Sequence, residues 1–301
     1  MSTTLKRVKC NAKQLNIITT LFNCKAVCKY IATKMANSKY EYVRHFEKHD
    51  SCLPNCWIIV RVDGKAFHRF ADAHAFTKPN DVNGIKLMTR CAHNVMTEFT
   101  EMVLAYGQSD EYSFVFKKET QAYKRRESKL MTNVASLFAS SYVFHWPEFF
   151  PNVKLLYPPS FDGRVVIYPS DQNLRDYLSW RQADCHINNL YNTAFWALVQ
   201  EGGLSNKEAQ TRLSGTFSSN KNEILFSEFG INYNQEPEIL KKGTILLRKE
   251  IAEEVTITDH KTKEPKSVTK VRKKIEAVNC DLIGDTFWVE HPYLLNTVGT
   301  C

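Results

Sequence analysis

The chain has 301 residues, and 43% of them are hydrophobic, which is enough apolar material for one large domain or two small ones. No run of 18 or more apolar residues occurs, which excludes a typical membrane-spanning helix. The net charge is +8, from 40 basic and 32 acidic residues. Residues 1–40 hold seven Lys and one Arg but no acidic residue, so the rest of the chain is neutral. A nucleic-acid function must therefore rest on local basic patches.

Residues 1–34 are basic and free of acidic residues, and they carry hydroxyl and apolar side chains between the charges. This composition is typical of a mitochondrial targeting presequence. The alternatives are a disordered basic tail, or an extension that initiation at Met35 would skip. We therefore expect a cytoplasmic and/or mitochondrial protein.

Nine cysteines are scattered along the chain, and an odd number without a secretory signal favours reduced thiols in an intracellular protein. One cluster is a candidate metal site, because His45, His49, Cys52 and Cys56 lie within twelve residues. Four such side chains are a possible zinc ligand set. Their spacing matches no common zinc finger, and Cys56 leads directly into an apolar strand. Ordinary packing is the favoured interpretation.

The first half of the chain alternates strand and helix patterns. A short apolar run followed by Asp63-Gly64 predicts a buried strand and a turn. The elements predicted after it are, in order, helix 83–101, strands 102–106 and 112–116, helix 123–142 and strand 164–168. The order β-α-β-β-α-β is that of ferredoxin-like folds. It places the first strand beside the hairpin, so that Asp63 and Asp110 share one edge of the sheet.

The second half begins with a long predicted helix, residues 172–200, and a shorter one follows at 205–213, with Ser205 as its N-cap. A strand is predicted at 243–247. Residues 251–279 carry many charges of mixed sign and are interpreted as a charged, solvated hairpin or loose loop. Residues 281–295 return to a composition typical of a core. We expect an α+β fold with an extension at 1–34, a catalytic unit at 35–170, and a portion at 171–301 that packs on that unit.

The first candidate site is the run VDGKAFHRF, residues 62–70. A carboxylate at the end of a buried strand lies at the edge of the sheet, and Gly64 allows a sharp turn and a close approach to a ligand. The backbone amides that follow are able to cradle a triphosphate. Taken alone, Asp-Gly is more often only a turn.

The second candidate site is the run YGQSDEYSFVF, residues 106–116. A hairpin loop carries the neighbouring carboxylates Asp110 and Glu111 between apolar strands. Mg²⁺ prefers oxygen ligands and keeps several waters, and a two-metal site clamps both the attacking and the leaving oxygen of a displacement. Asp110 alone is interpreted as an exposed acidic turn. Together with Asp63 in this strand order, it favours a metal site.

This arrangement resembles the palm domain of polymerases and nucleotide cyclases, and the two motifs resemble those of eukaryotic tRNA-histidine guanylyltransferases. So do residues 177–193 (YLSWRQADCHINNLYNT), residues 221–226 (KNEILF) and the segment that begins at Met35. The resemblance runs from about Met35 to Leu247, with a weaker echo at 281–291. It implies addition of one guanosine to the 5′ end of histidine tRNA, by ATP-activated 3′-to-5′ nucleotidyl transfer with two Mg²⁺ ions and GTP. It also implies a homotetramer.

The resemblance implies roles for particular residues. Asp63 and Asp110, with the Gly64 carbonyl, would bind the metal ions. The residues that would hold the GTP triphosphate are Asp63, Gly64, Lys65, Ala66, Phe67, His68, Ser109 and Asp110. The family places basic side chains on a second nucleotide, and the matching pair here is Arg126 and Lys129. A solvated basic turn is an equally good interpretation of the run 124–129.

On the long helix, Asp184, Asn188 and Asn192 fall at i, i+4 and i+8, so they form one polar line. The family match favours contacts to RNA or nucleotide for Asn188 and Asn192, and for the similar residues His186 and Asn189. Their alternative role is to cap neighbouring backbone groups. Trp146 and Trp180 are interpreted as core residues, in preference to the alternative that they are platforms for base stacking.

Three other functions stay open. A template-dependent polymerase that repairs tRNA 5′ ends would have the same site. A nucleotide cyclase shares the palm geometry but needs no RNA. A tRNA-binding protein without catalysis would not need both Asp63 and Asp110.

Overall fold

The computed structural model describes residues 38–258 and 265–295, which fall into two units. The first unit contributes residues 38–49, with a short 3₁₀ helix at Glu41–Phe46. The second unit begins at Asp50. Residues 1–34, for which a presequence is predicted, lie outside the described residues, as do residues 259–264 of the charged segment. Within the described ranges, no helix is both long and apolar enough to cross a membrane.

The first half of the second unit has the predicted βαββαβ order. Its elements are β1 (Trp57–Gly64), α1 (Phe67–Ala73), α2 (Val82–Glu98), β2 (Met102–Gln108), β3 (Glu111–Phe116), α3 (Glu127–Phe149) and β4 (Phe161–Tyr168). The short helix α1 has no counterpart among the sequence-based predictions. A 3₁₀ turn at Ala122–Arg125 precedes α3.

The second half adds helices and two more strands. Its elements are α4 (Asp171–Gln200), α5 (Asn206–Leu213), α6 (Ser218–Phe229), α7 (Glu238–Lys242), β5 (Thr244–Thr258), β6 (Pro265–Val278) and α8 (Thr286–Glu290). The sheet is antiparallel throughout, in the order β4-β1-β3-β2-β5-β6. Because β5 pairs with β2 over Thr244–Leu247, the C-terminal portion extends the catalytic sheet. The α+β palm-type fold is confirmed.

The segment predicted as a charged loop at 251–279 is instead mostly strand. β5 continues from the predicted strand at 243–247 to Thr258, and β6 pairs with it in register back to Val278. The hairpin alternative is therefore correct and the loose loop is wrong. Ile251 and Val255 in β5, and Val271 and Ile275 in β6, are each four residues apart among the charges, and such an even spacing fits the period of two of a strand.

β1 is buried on both faces, and this fixes its position between β3 and β4. Ile58, Val60 and Val62 are fully buried against the cluster that contains α2 and α3. Trp57 and Ile59 point to the opposite face, where α4 packs. A strand buried on both faces has a strongly specified register, since a slip by one residue would exchange the two faces. Asp63 is therefore held at a defined level of the sheet edge.

The predicted helix at 123–142 begins later than its sequence indicates. Tyr123, Lys124 and Arg125 have φ values of 48°, 56° and 60°, in the left-handed region, and α3 starts at Glu127. Arg126 is the N-cap of α3, so Lys124, Arg125 and Arg126 precede the helix, and only Lys129 of the basic run lies in its first turn. The left-handed turn directs the buried Arg125 under the loop before β1, where its guanidinium donates to the carbonyls of Leu53 (2.5 Å) and Cys56 (2.9 Å).

Two tryptophans differ from each other in burial. Trp146 is buried, as expected for a core residue, and its indole N–H donates to the Val153 carbonyl. Trp180 is 57% exposed, so its assignment to the core is wrong.

We predict that Arg125→Ala lowers the free energy of unfolding by roughly 2–4 kcal/mol, because backbone carbonyls would lose a charged donor in a buried site. Urea unfolding monitored by circular dichroism measures the change. Lys124→Ala, at the exposed neighbouring position with the same backbone conformation, is the control and should stay within about 0.5 kcal/mol of the wild type. An Arg125→Ala protein as stable as the control would contradict this role.

Candidate active site

The two predicted metal-binding carboxylates meet at one edge of the sheet. Asp63 is the penultimate residue of β1, and its Cα pairs with that of Glu111 in β3. Asp110 belongs to the two-residue turn that joins β2 to β3, next to Ser109, whose φ of 49° suits such a turn. The Gly64 amide donates to the Asp110 carbonyl at 3.0 Å. Asp63 and Asp110 both line a cavity of about 230 Å³.

Gly64 is required by close packing at this junction. A Cβ at this position would lie 2.9 Å from Oδ2 of Asp110 and 2.5 Å from a ring carbon of Phe67. The Asp110 carboxylate therefore lies directly over the backbone of β1. Any larger residue would displace either this carboxylate or the Phe67 ring.

The electrostatics of the junction favour a bound cation. Burial, together with the neighbouring negative charge of Asp63, raises the pKa of Asp110 from 3.8 to about 6. Asp63 itself lies 3.4 Å from the Arg61 guanidinium. A divalent cation between the two carboxylates would relieve their repulsion. Mg²⁺ is commonly bound by one or two carboxylates together with substrate phosphates.

Within residues 38–258 and 265–295, no three His, Cys, Asp or Glu side chains form a group able to hold a metal ion. A metal at this edge would therefore depend on Asp63, Asp110, backbone carbonyls such as that of Gly64, water and the nucleotide. This donor set consists of oxygen atoms, which fits magnesium and leaves ligand positions for phosphates.

Glu111, next to Asp110, is bound to helix α4 by a contact that sequence reasoning missed. Arg181 donates to both of its carboxylate oxygens, at 3.3 and 3.2 Å, and the Gln108 amide donates to it at 3.2 Å. Arg181 also lies 3.4 Å from Asp184. The ion pair Arg181–Glu111 joins residues 70 positions apart in the sequence, so no local sequence pattern predicts it. It fixes α4 against the hairpin that carries Asp110.

A larger cavity of about 710 Å³ adjoins the first, and the two share lining residues that include Ser109 and Asp110. Of the predicted triphosphate residues, those that line the larger cavity are Gly64, Ala66, Phe67, His68, Ser109 and Asp110. Its other walls include Asp81, which caps α2, and the aromatic residues Tyr191 and Trp196 of α4.

Lys65 departs from the prediction. Its amide donates to the Ser160 carbonyl at 2.8 Å, and its side chain lines neither of these two cavities. Of the backbone amides that follow Gly64, that of Lys65 is therefore used within the protein, and those of Ala66, Phe67 and His68 remain as candidates to cradle a triphosphate. Ala66 adopts a left-handed φ of 51° and precedes α1 without capping it through a side chain.

The polar line on α4 borders the same cavity as the two carboxylates. Asp184, Asn188 and Asn192 line the 230 Å³ cavity together with Asp63 and Asp110. Asn189 also lines it, but its carboxamide accepts from Asn80 and donates to the Tyr233 hydroxyl, at 2.8 and 3.0 Å. That side chain is largely occupied by structural contacts.

His186 lines neither cavity, and its ring packs against that of Tyr233, with 5.5 Å between the ring centroids. The structure therefore does not bring it to the carboxylates.

Arg126 lies near the start of β1, at the opposite end of this strand from Asp63. Arg126 pairs with Ser51, just before β1, and its guanidinium lies 3.1 Å from the Asp50 carboxylate. Asp63 is at the far end of β1, and a strand of this length spans roughly 25 Å. Neither basic residue lines the two cavities around Asp110. Their contact with a second nucleotide stays a prediction.

Comparison with known proteins gives consistent matches over most of the chain. The sequence profile described as tRNAHis guanylyltransferase matches residues 40–169, and the profile described as Thg1 C terminal domain matches residues 172–284. A mouse (Mus musculus) protein named probable tRNA(His) guanylyltransferase is 58% identical over 272 residues, which are 89% of this chain and 91% of that protein.

Solved structures agree with these matches. The crystal structure of tRNA(His) guanylyltransferase from Saccharomyces cerevisiae is similar to this chain with a TM-score of 0.67 and 51% identity, covering 69% of this chain and 93% of that one. A bacterial tRNA(His) guanylyltransferase-like protein in complex with ATP has a TM-score of 0.60 at 24% identity, covering 70% of this chain and 88% of that one. At that identity the similarity concerns the fold.

We predict that Asp110→Asn stabilises the metal-free protein at pH 7.5 by about 1–2 kcal/mol, and by less than half as much at pH 4.5. Because folding raises the pKa of Asp110 to about 6, stability from this group is present below pH 3.8 and is lost as the pH rises through 6. The full pKa shift of Asp110 corresponds to about 3 kcal/mol of stability, and the expected gain is smaller because solvent screens this partly exposed carboxylate. Urea unfolding in EDTA at both pH values measures the effect.

Asp162→Asn is the matched control, since Asp162 is exposed, lies across from Asp63 on β4 and is paired with Arg164. It should change stability by less than about 0.5 kcal/mol at either pH. If Asp110→Asn does not raise the free energy of unfolding, or raises it equally at both pH values, the raised pKa of Asp110 is refuted.

Proposed function

This chain belongs to the tRNAHis guanylyltransferase family, and we propose that Asp63 and Asp110 are the metal-binding carboxylates with which it adds a guanosine to the 5′ end of histidine tRNA. One observation carries the proposal. One carboxylate from β1 and one from the turn between β2 and β3 come together at Gly64, at the edge of the sheet where two cavities join.

The proposed reaction has three steps, all of them phosphoryl transfers that need positioning and charge stabilisation more than covalent help from the protein. The 5′-monophosphate of the tRNA attacks the α-phosphorus of ATP and releases pyrophosphate. The 3′-hydroxyl of GTP then attacks the activated 5′ phosphate and releases AMP. Hydrolysis at the triphosphate of the added nucleotide removes pyrophosphate and leaves one extra guanosine.

Each part of the site would serve a different part of this reaction. Asp63 and Asp110 would hold the catalytic cations, and Mg²⁺ there would lower the pKa of the attacking hydroxyl and neutralise the leaving group. Ser109, His68 and the amides of Ala66 and Phe67 line the larger cavity and would bind the triphosphate. Asn188 and Asn192 face the carboxylates across the smaller cavity and would orient a ribose or base. Arg181 keeps Glu111 in place by the ion pair beneath them.

A homotetramer is part of the proposal, as the family resemblance implies. Support comes from the distance between Arg126 and the carboxylates, which lie at opposite ends of β1. Neither Arg126 nor Lys129 lines the cavities around Asp110, so a nucleotide held by this pair would lie outside those cavities. A second copy is a simple way to bring that nucleotide near a reaction centre.

Labelled 5′-monophosphate histidine tRNA, incubated with ATP, GTP and Mg²⁺, should gain one nucleotide at its 5′ end. Asp63→Ala and Asp110→Ala should each slow the addition by about 1,000-fold or more, because the metal contributes several kcal/mol to the transition state. Asp162→Ala is the control and should keep wild-type activity, since this exposed carboxylate lines neither cavity.

An Asp110→Ala enzyme within tenfold of the wild type would contradict the proposed site. Two further reactions separate the other candidate functions. GTP incubated without RNA should give no cyclic product, and such a product would favour a cyclase. Extension restricted to truncated tRNAs would favour 5′-end repair.

A further inference from the structure

Trp180 on α4 is an exposed aromatic side chain one helical turn before Asp184, which lines the smaller cavity, although Trp180 itself lines neither cavity. It is 57% exposed, whereas Trp57, Trp146 and Trp288 are buried and Trp196 is partly buried. Within α4, the other large hydrophobic side chain that is exposed is Ile187, two helical turns further on. These two side chains are roughly 10 Å apart along the helix, with the polar Asp184 between them, so they do not form the contiguous apolar patch that a protein–protein interface needs.

Neighbouring side chains hold the indole in place. The guanidinium of Arg181 lies over the Trp180 ring, with its central carbon 3.5 Å from the ring centroid. Tyr177, one turn earlier, packs edge-on against the same ring at 6.2 Å, and its hydroxyl bonds to Ser113 of β3 at 2.7 Å. The stacking surface is therefore organised before any ligand arrives, which lowers the entropic cost of binding.

The same contacts connect Trp180 to the reaction centre. Arg181 is bound to both oxygens of Glu111, which follows Asp110 in the chain and pairs with Asp63 across the sheet. The Arg181–Glu111 ion pair therefore lies between the indole and the turn that carries Asp110. The bound guanidinium is also largely buried, and its Nε has no partner among the described residues.

We propose that the exposed face of Trp180 stacks on an unpaired base of the tRNA acceptor end while the 5′ phosphate occupies the carboxylate site. Proteins recognise single-stranded RNA ends by stacking unpaired bases on aromatic side chains and on Arg planes. The unpaired nucleotides nearest to a tRNA 5′ phosphate are those of its 3′ tail. This inference rests on the proposed function, since it takes tRNA as the substrate.

The test measures RNA affinity without turnover. Wild type, Trp180→Ala and Trp180→Phe are titrated against 5′-monophosphate histidine tRNA and against the same tRNA trimmed to a blunt acceptor end. Loss of one base–aromatic stack weakens binding by roughly 5- to 100-fold, so Trp180→Ala should lose that much on the intact tRNA. On the blunt tRNA the loss should be less than about twofold, because the base is gone. Trp180→Phe, which keeps an aromatic ring, should recover much of the affinity.

Three further measurements separate stacking from a structural effect. Binding of GTP with Mg²⁺, thermal stability and the oligomeric state should be unchanged in Trp180→Ala. Phe144→Ala, an exposed aromatic on α3, is the control and should bind both RNAs like the wild type. Intact tRNA should also protect the wild type from iodide quenching of tryptophan fluorescence, and blunt tRNA should protect it less.

The proposal is overturned if Trp180→Ala binds intact tRNA as tightly as the wild type, or if it loses the same factor on blunt tRNA. A change in oligomeric state would overturn it in favour of contact with another copy of the chain. Because none of these readouts requires nucleotide addition, a wild type that binds but does not extend tRNA would count against the proposed function alone.

Discussion

The approach of the Asp110 carboxylate to the backbone at Gly64 is the constraint on which the site depends. It brings an acidic turn between β2 and β3 against the end of β1, where Asp63 lies. Neither carboxylate gains stability from the other, and burial beside Asp63 raises the pKa of Asp110. The fold holds this unfavourable pair because β1 is buried on both faces and cannot slip.

Helix α4 packs on the face of the sheet opposite to α2 and α3, and its residues line the smaller cavity together with the carboxylates. Its contact with the hairpin is the buried pair Arg181–Glu111, supported by the hydrogen bond between Tyr177 and Ser113. Removing one partner of such a pair leaves an uncompensated charge, so the helix and hairpin are coupled. This coupling holds Asn188 and Asn192 opposite the carboxylates. It also places Trp180 on the surface next to them.

Much of the fold follows from sequence patterns, because the runs at 57–62 and 112–116 have the length and the β-branched or aromatic composition of buried strands. The turns Asp63-Gly64 and Ser109-Asp110 mark their ends, and the strand order then brings the carboxylates together. The Arg181–Glu111 pair was not predictable, since it depends on how α4 packs. Likewise, three successive left-handed residues at 123–125 include no Gly or Asn to indicate them. Trp180 lies two residues beyond the buried Leu178, roughly 200° around the helix, so it falls outside the buried apolar face of α4.

Anomalous diffraction from crystals grown with Mn²⁺ and GTP tests the central claim most directly. We expect manganese peaks at the edge of the sheet, bound to carboxylate oxygens of both Asp63 and Asp110 at about 2.0–2.3 Å, with the triphosphate in the larger cavity. Peaks that contact only one of these carboxylates, or a nucleotide bound away from both, would contradict the assignment of this pair as the catalytic metal site.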